Sequence, residues 1–554
     1  MNELLFSSGT SYEYPLTIKK ILTSALRYAP NRTISYRDRL TYTYTTLEDR
    51  IKRLAGTLSA LGVKKGDVVG IIDYNSHRFL ESYFAVPMMG AVLATFNWRQ
   101  GIDEFGHAIS HAAPRVLIVH EDFLCLLKKV KDSLGHVDHL VLITESDHPE
   151  EPLFSFSGEY EDLLAQAPPV YEFEDFDENT PATLYYTSGT TGLPKGVSFT
   201  HRQIVLQTLS LGLTLGSYSS KIRFSSKDVF MPLVPMWKEH AWGLPYLATM
   251  LGAQQVYTGK FDMECMLHLF TKYRITFSVC VPTALHMILE HPYAKDLDFS
   301  SCKLIVTGAR LSEKLAKIAL SRGLQITSAF GLSEACPLVS MTHLKGDLDG
   351  RTTKKKIEVL ASAGLPAPLV DVEIAETSGH LKKTDNLSQG QIVIRAPWLA
   401  REYHRDPKKS MELWKHGWLH TGDLGFIDKD GYIHVTDRVR NISKSGGEWV
   451  SHLKIENLVR KYPGVEEAAV VAIPDEVWGE RPAVFVVIDN AHEVTVDSVQ
   501  IEKFMHSFVR TGDLPKYALP DRYLIVDEIP KTEVQKIDVR EIMERYGDLL
   551  FSAG

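Results

Sequence analysis

The chain has 554 residues and a mass of 62.3 kDa, too long for one ordinary compact domain, so one large layered unit and a smaller one are expected. Hydrophobic residues at 44% and charged residues at 23% exclude global disorder. With 69 Asp and Glu against 61 Lys and Arg, the formal charge of -8 excludes a chain-wide basic field, and nucleic acid is not expected as a partner.

Along the chain, Val68-Val-Gly-Ile-Ile-Asp, Val116-Leu-Ile-Val and Leu140-Val-Leu-Ile-Thr are short apolar runs set between segments of helical pattern such as 47–61. Leu304-Ile-Val-Thr and Gln325-Ile-Thr-Ser-Ala-Phe repeat the pattern around a second helical segment at 311–321. Such runs predict buried parallel strands, hence a layered α/β architecture. Residues 79–96 are the most membrane-like stretch, but Glu81, Pro87 and Gly90 leave less than the ~20 apolar residues of a spanning helix, so a buried helix is predicted. From about 354 to 438 alternating strands and turns predict a β-rich subdomain. After it, a helical segment at 452–461, a Pro463-Gly464 turn and two apolar runs predict a small α+β unit at 439–554, following a large N-terminal domain at 1–438.

The five cysteines (Cys125, Cys265, Cys280, Cys302, Cys336) are scattered, with no Cys-x-x-Cys, which suggests neither a disulfide framework nor a zinc knuckle. A reducing, cytoplasmic location is expected, since the N-terminus also lacks the pattern of a secretory signal. His107 and His111 stand four apart, a helical spacing for metal ligands, but no third ligand is evident near them.

The strongest chemical signal runs Tyr185-Tyr-Thr-Ser-Gly-Thr-Thr-Gly-Leu-Pro-Lys-Gly-Val-Ser-Phe-Thr-His201. It sets the hydroxyls of Thr187, Ser188, Thr190 and Thr191, the glycines Gly189, Gly192 and Gly196, and Lys195 in one turn-rich stretch after an apolar strand. Backbone N–H groups, hydroxyls and one cation in such a loop can cradle a polyphosphate. It is not the G-x-x-x-x-G-K-[ST] loop, because Lys195 is followed by glycine, and the plain alternative is a Ser/Thr/Gly-rich surface loop.

This stretch resembles the phosphate loop of the adenylate-forming superfamily, and matching segments follow in order across about residues 42–536. Ser328-Ala329-Phe330-Gly331-Leu-Ser333-Glu334 is similar to the family's aromatic-Gly-x-Thr-Glu motif. The resemblance implies that Phe330 lies near adenine, that Ser333 meets phosphate, and that Glu334 helps hold Mg2+ with Thr187 on the magnesium side. His420-Thr-Gly-Asp423 and Asp437-Arg438 resemble the ribose contacts. Asn441-Ile-Ser-Lys444-Ser-Gly446-Gly447-Glu-Trp449 resembles the lid loop of the medium- and long-chain fatty acyl-CoA synthetase branch, and its plain structural reading is a hairpin turn. Pro530-Lys-Thr-Glu-Val-Gln-Lys536 resembles the C-terminal motif whose lysine enters the site during adenylation, and Arg440 falls at the family's hinge position.

The resemblance implies an AMP-forming ligase that joins a small-molecule carboxylic acid to CoA at the expense of ATP, with Lys195, Glu334 and Lys536 as catalytic groups. A homodimer is a further analogy with relatives. Loading of a carrier protein instead of CoA, or a degenerate binder without turnover, are the rival readings. Four departures stand out. In Val234-Pro-Met-Trp-Lys-Glu-His-Ala-Trp242 the family histidine is replaced by Lys238, with a histidine two places on at His240. Gly308-Ala309-Arg310 brings an arginine to a stretch expected, with Trp242, to edge the acyl pocket. A buried guanidinium there needs a local acid or a polar substrate group as its partner. Gln535 replaces a glycine beside Lys536, and Arg401-Glu-Tyr403 replaces the usual Gly-Tyr pair.

Overall fold

The computed structural model describes residues 12, 14–146, 154–187, 193–218, 222–345, 353–376, 380–382, 389–438, 442–445, 448–475, 479–489, 497–511, 513–514, 516–531 and 537–551, apart from the side chains of 353, 437, 438, 442, 444, 448, 449, 479, 540 and 551. Among these residues the strands form four sheets. Strands Thr33–Tyr36, Gln254–Tyr257, Val229–Pro232, Phe277–Cys280, Lys303–Val306 and Gln325–Gly331 are successive parallel neighbours in a nine-stranded sheet with antiparallel edges. A seven-stranded sheet pairs His139–Ile143, Val116–His120, Val68–Ile72, Val92–Thr95 and Pro181–Thr187 in parallel, and Lys195–Thr200 closes it antiparallel. The apolar runs of the sequence occupy these strands and are buried on both faces as parallel strands require, except at His139–Ile143, where Leu140 and Leu142 are half-buried.

The membrane-like stretch divides. Its first part is the helix His77–Met88, with every residue buried, and its second is the strand Val92–Thr95, reached through Gly90 at φ +79°. Two charges inside that helix are satisfied locally. Glu81 accepts from Arg50 Nε at 2.7 Å, Tyr42 Oη at 2.9 Å and Tyr160 Oη at 2.7 Å. Arg78 pairs with Asp73 at 3.3 Å and Glu145 at 2.6 Å. Such saturation is the condition on which ions remain in a core. No helix among the described residues is long and apolar enough to cross a membrane.

Strands Asp371–Ala375, Gly390–Arg395, Trp414–Lys415, Trp418–Ile427 and Ile433–Arg438 form a third sheet. The fourth joins Ile442–Ser445, Glu448–Ser451, Val465–Asp475, Gly479–Ile488 and Arg522–Ile525. In the fourth sheet Ala468, Val470, Val484 and Val486 pack into one cluster, with helices His452–Val459 and Ser498–Thr511, while Ala469, Val471, Ala483 and Phe485 pack into another, with Val539–Phe551. Both faces are covered, which explains why the antiparallel strands read as continuous apolar runs.

Candidate active site

The hairpin Pro181–Thr187 and Lys195–Thr200 places Thr187 directly opposite Lys195 across the ladder, at the two ends of the candidate phosphate loop. Ser188, Gly189, Thr190, Thr191 and Gly192 lie outside the described residues. The hairpin runs into the helix His201–Ser217 through a capping box: Thr200 Oγ1 accepts from the Gln203 N–H at 3.3 Å, and Gln203 Oε1 accepts from the Thr200 N–H at 2.8 Å. Gln203 Nε2 then donates to the Leu399 carbonyl at 2.6 Å, tying the hairpin to the segment that carries Tyr403.

That segment lies against the hairpin. Val197 and Tyr403 form an antiparallel bridge, and the His404 N–H donates to the Gly196 carbonyl at 2.8 Å. Here the candidate catalytic groups meet: Lys195 Nζ lies 4.1 Å from the centre of the Tyr403 ring, and Tyr403 Oη donates to Glu334 Oε1 at 2.6 Å. The Ala400 N–H also donates to the Glu334 carbonyl at 2.8 Å. Tyr403 was visible in the sequence only as the end of a departing triplet; it is the side chain that couples a lysine and a glutamate 139 positions apart (334 minus 195).

Phe330 and Gly331 end the strand Gln325–Gly331, paired with Ser340 and Leu338. A Cβ on Gly331 would stand 2.1 Å from the Pro337 carbonyl oxygen and 3.1 Å from Trp242 Cζ2, so only glycine lets these segments approach. Ser328, buried, donates its hydroxyl to the Leu360 carbonyl, and Ala329 is buried beside it. Tyr185 Oη donates to the Ser333 carbonyl at 2.6 Å, and Ser333 Oγ donates to Glu239 Oε1, also at 2.6 Å. Burial first, and then the charges of neighbours that include Glu239 and Glu334, push the Tyr185 hydroxyl well above its ordinary pKa.

On the sheet at 371–438, Asp423 is buried at 4% exposure and stands opposite Arg438 in register, so the two ribose candidates share one cross-strand position. Thr421 Oγ1 fixes this turn by accepting from the Asp423 N–H at 3.0 Å and donating to the Ile392 carbonyl at 2.7 Å. Lys444 pairs with Trp449 across the hairpin Ile442–Ser445 and Glu448–Ser451, so the plain hairpin reading describes the local geometry. Gly446, Gly447, Arg440 and Lys536 lie outside the described residues.

The departures resolve differently. Arg310 is exposed, not buried, and with Gly308 and Ala309 it follows strand Lys303–Val306 on an open turn. It makes no ion pair with a described residue and borders a cavity of about 250 Å³ shared with Glu313, Glu358, Asp428 and His434. The premise that its guanidinium must be paired in a core is therefore corrected: water supplies its solvation. Lys238 is likewise exposed. His240 instead belongs to the core, with Nε2 2.9 Å from Thr183 Oγ1 and its ring among Tyr83, Tyr185, Phe199 and Tyr246. Burial pushes it down to about 3, so it stays neutral near pH 7. His111 spends Nδ1 on the Tyr186 hydroxyl at 3.0 Å, and no group of three metal-ligating side chains occurs among the described residues.

A profile of AMP-binding enzymes matches residues 22–404, and one of the AMP-binding enzyme C-terminal domain matches residues 454–536. The chain is 34% identical to a long-chain-fatty-acid–CoA ligase of Thermus thermophilus, over 91% of this chain and 90% of the relative. It is 31% identical to a 3-methylmercaptopropionyl-CoA ligase of Ruegeria lacuscaerulensis, over 98% and 99%. A fatty acyl CoA synthetase structure from Mycobacterium tuberculosis superposes with a TM-score of 0.75 at 24% identity, covering 96% of this chain and 99% of that one, which shows the shared fold. With hairpin, motif strand and C-terminal unit in the same order over almost its whole length, the chain belongs to the AMP-binding enzyme family.

Proposed function

We propose that the protein is an AMP-forming acyl-CoA ligase that uses ATP to activate a medium- or long-chain carboxylic acid and passes the acyl group to CoA. The carrying observation is the convergence of Lys195, Tyr403 and Glu334 at the mouth of the hairpin loop. A carboxylate is a poor acyl donor because its leaving group would be oxide. Its oxygen therefore attacks the α-phosphorus of ATP and expels pyrophosphate, giving an acyl-adenylate. The CoA thiol then attacks the acyl carbonyl and releases AMP.

Lys195 is assigned to the phosphate oxygens that gain charge in the first step, and Asp423 with Arg438 to the ribose. Glu334 has a second carboxylate oxygen beyond the one bonded to Tyr403, and Thr187 offers a hydroxyl at the loop's edge. This fits Mg2+, a hard cation that takes one or two protein oxygens plus phosphates and water, and that would neutralise phosphate charge when bound. Lys536 is assigned to adenylation, and Lys444, Gly446, Gly447 and Trp449 to the acyl and CoA side. Arg440 is assigned as the hinge that exchanges them, on motif position alone.

Carboxylate-dependent exchange of labelled pyrophosphate into ATP, followed by thioester formation on adding CoA, tests the reading. Exchange without thioester would favour carrier-protein loading, and no exchange with any acid would favour a binder. Arg440→Pro should remove one half-reaction while sparing the other; equal loss of both counts against the hinge.

A further inference from the structure

Glu239, a carboxylate next to the exposed Lys238, is only 8% exposed. It belongs to a run of left-handed residues, Glu239, His240, Ala241 and Trp242 at φ between +47° and +67°, followed by Gly243 at +71°. Non-glycine residues adopt that conformation only against steric resistance, so the surroundings hold the turn firmly. The turn sets Glu239 against Ser333 and Trp242 against Gly331, one and three positions before Glu334.

A buried carboxylate ordinarily has a cation, as Glu81 has Arg50. Glu239 has a single hydrogen bond, from Ser333 Oγ, and no ion pair among the described residues; even the neighbouring Lys238 is turned to solvent. Beside it, Nδ1 of the buried His240 has no hydrogen-bond partner among the described residues. The turn thus holds a carboxylate with unspent acceptor capacity between Trp242, expected to edge the acyl pocket, and the phosphate-side residue Ser333.

We propose that Glu239 is a specificity-determining residue of the acyl site and selects carboxylic acids with a hydrogen-bond donor, an ammonium or a hydroxyl group, close to the carboxyl end. This rests on the acyl-CoA ligase reading. An unsubstituted chain would bury the carboxylate without compensation, whereas a donor supplies its missing partner.

The test compares hexanoic, 3-hydroxyhexanoic and 3-aminohexanoic acids in the intact protein and in Glu239→Gln and Glu239→Val, reading CoA-dependent AMP release. The wild type should favour the substituted acids in kcat/KM by about tenfold or more, the worth of one hydrogen bond to a buried charge. Glu239→Val should reverse that ranking; Glu239→Gln should keep the hydroxyl preference and lose the ammonium preference. An unchanged ranking in Glu239→Val overturns the proposal. So does an equal loss for all three acids with a raised KM for ATP, which would leave Glu239 only holding Ser333. If no acid releases AMP, the ligase reading fails, and calorimetric binding of the same acids still decides: the proposal stands on donor-selective binding lost in Glu239→Val and falls without it.

Discussion

Two groups of interior charge differ in how completely they are satisfied. Around the helix His77–Met88, Glu81 has an arginine and two tyrosine hydroxyls, and Arg50 also reaches Glu161 at 2.8 Å. Around the end of strand Gln325–Gly331, Glu334 is bonded through one oxygen to Tyr403, and Glu239 through one to Ser333. The first group is complete within the chain and binds the fold together. The second leaves acceptor capacity for something that arrives.

Removing Glu81 should therefore damage stability most. Glu81→Ala leaves Arg50 with Glu161 alone and strands two buried hydroxyls, with an expected loss of about 3–5 kcal/mol in urea unfolding. A loss below ~1 kcal/mol would erase the contrast. Glu334→Gln or Lys195→Ala should do the reverse, lowering adenylation by about a hundredfold or more while the unfolding midpoint moves little. A large stability loss in those variants would place the site's charges with the structural ones.

Tyr403→Phe sharpens the boundary, since it keeps the ring under Lys195 and deletes only the bond to Glu334. About a tenfold fall in pyrophosphate exchange is expected. A shift in the exchange rate's dependence on Mg2+ concentration would show that the bond orients Glu334.

The smallest effect is in pH. Burial pushes His201 down to about 4 and His240 down to about 3, both below the ordinary imidazole value. The unfolded chain takes protons that the folded one refuses, so stability is full above about pH 6.5 and declines as pH falls towards those folded values. Each histidine contributes up to about 1.4 kcal/mol per pH unit. His201→Gln should flatten the fall in urea midpoint between pH 7 and pH 5; an unchanged slope would remove His201 from the account.

Much of this was legible in the linear order. Apolar runs of four or five residues between helical segments fixed the parallel strands, because a strand buried on both faces admits few polar side chains. The motif strings likewise singled out Lys195 and Glu334, which the structure brings together through Tyr403. Tyr403 was not legible as a partner of Glu334, since no local pattern links positions 69 apart. The burial expected of Arg310 failed for a related reason: exposure depends on which turn a residue occupies after the sheets have packed, and the neighbouring letters do not encode it.

The sequence by itself determined the layered α/β class, the family and the residue types available for nucleotide chemistry, since these follow from periodicity and local motif spacing. Only the tertiary structure decided which charges are saturated and which are left open. Hydrogen-bond satisfaction is a property of surfaces brought together from distant segments, and Glu81 and Glu239, the same residue type, differ in the partners that folding gives them.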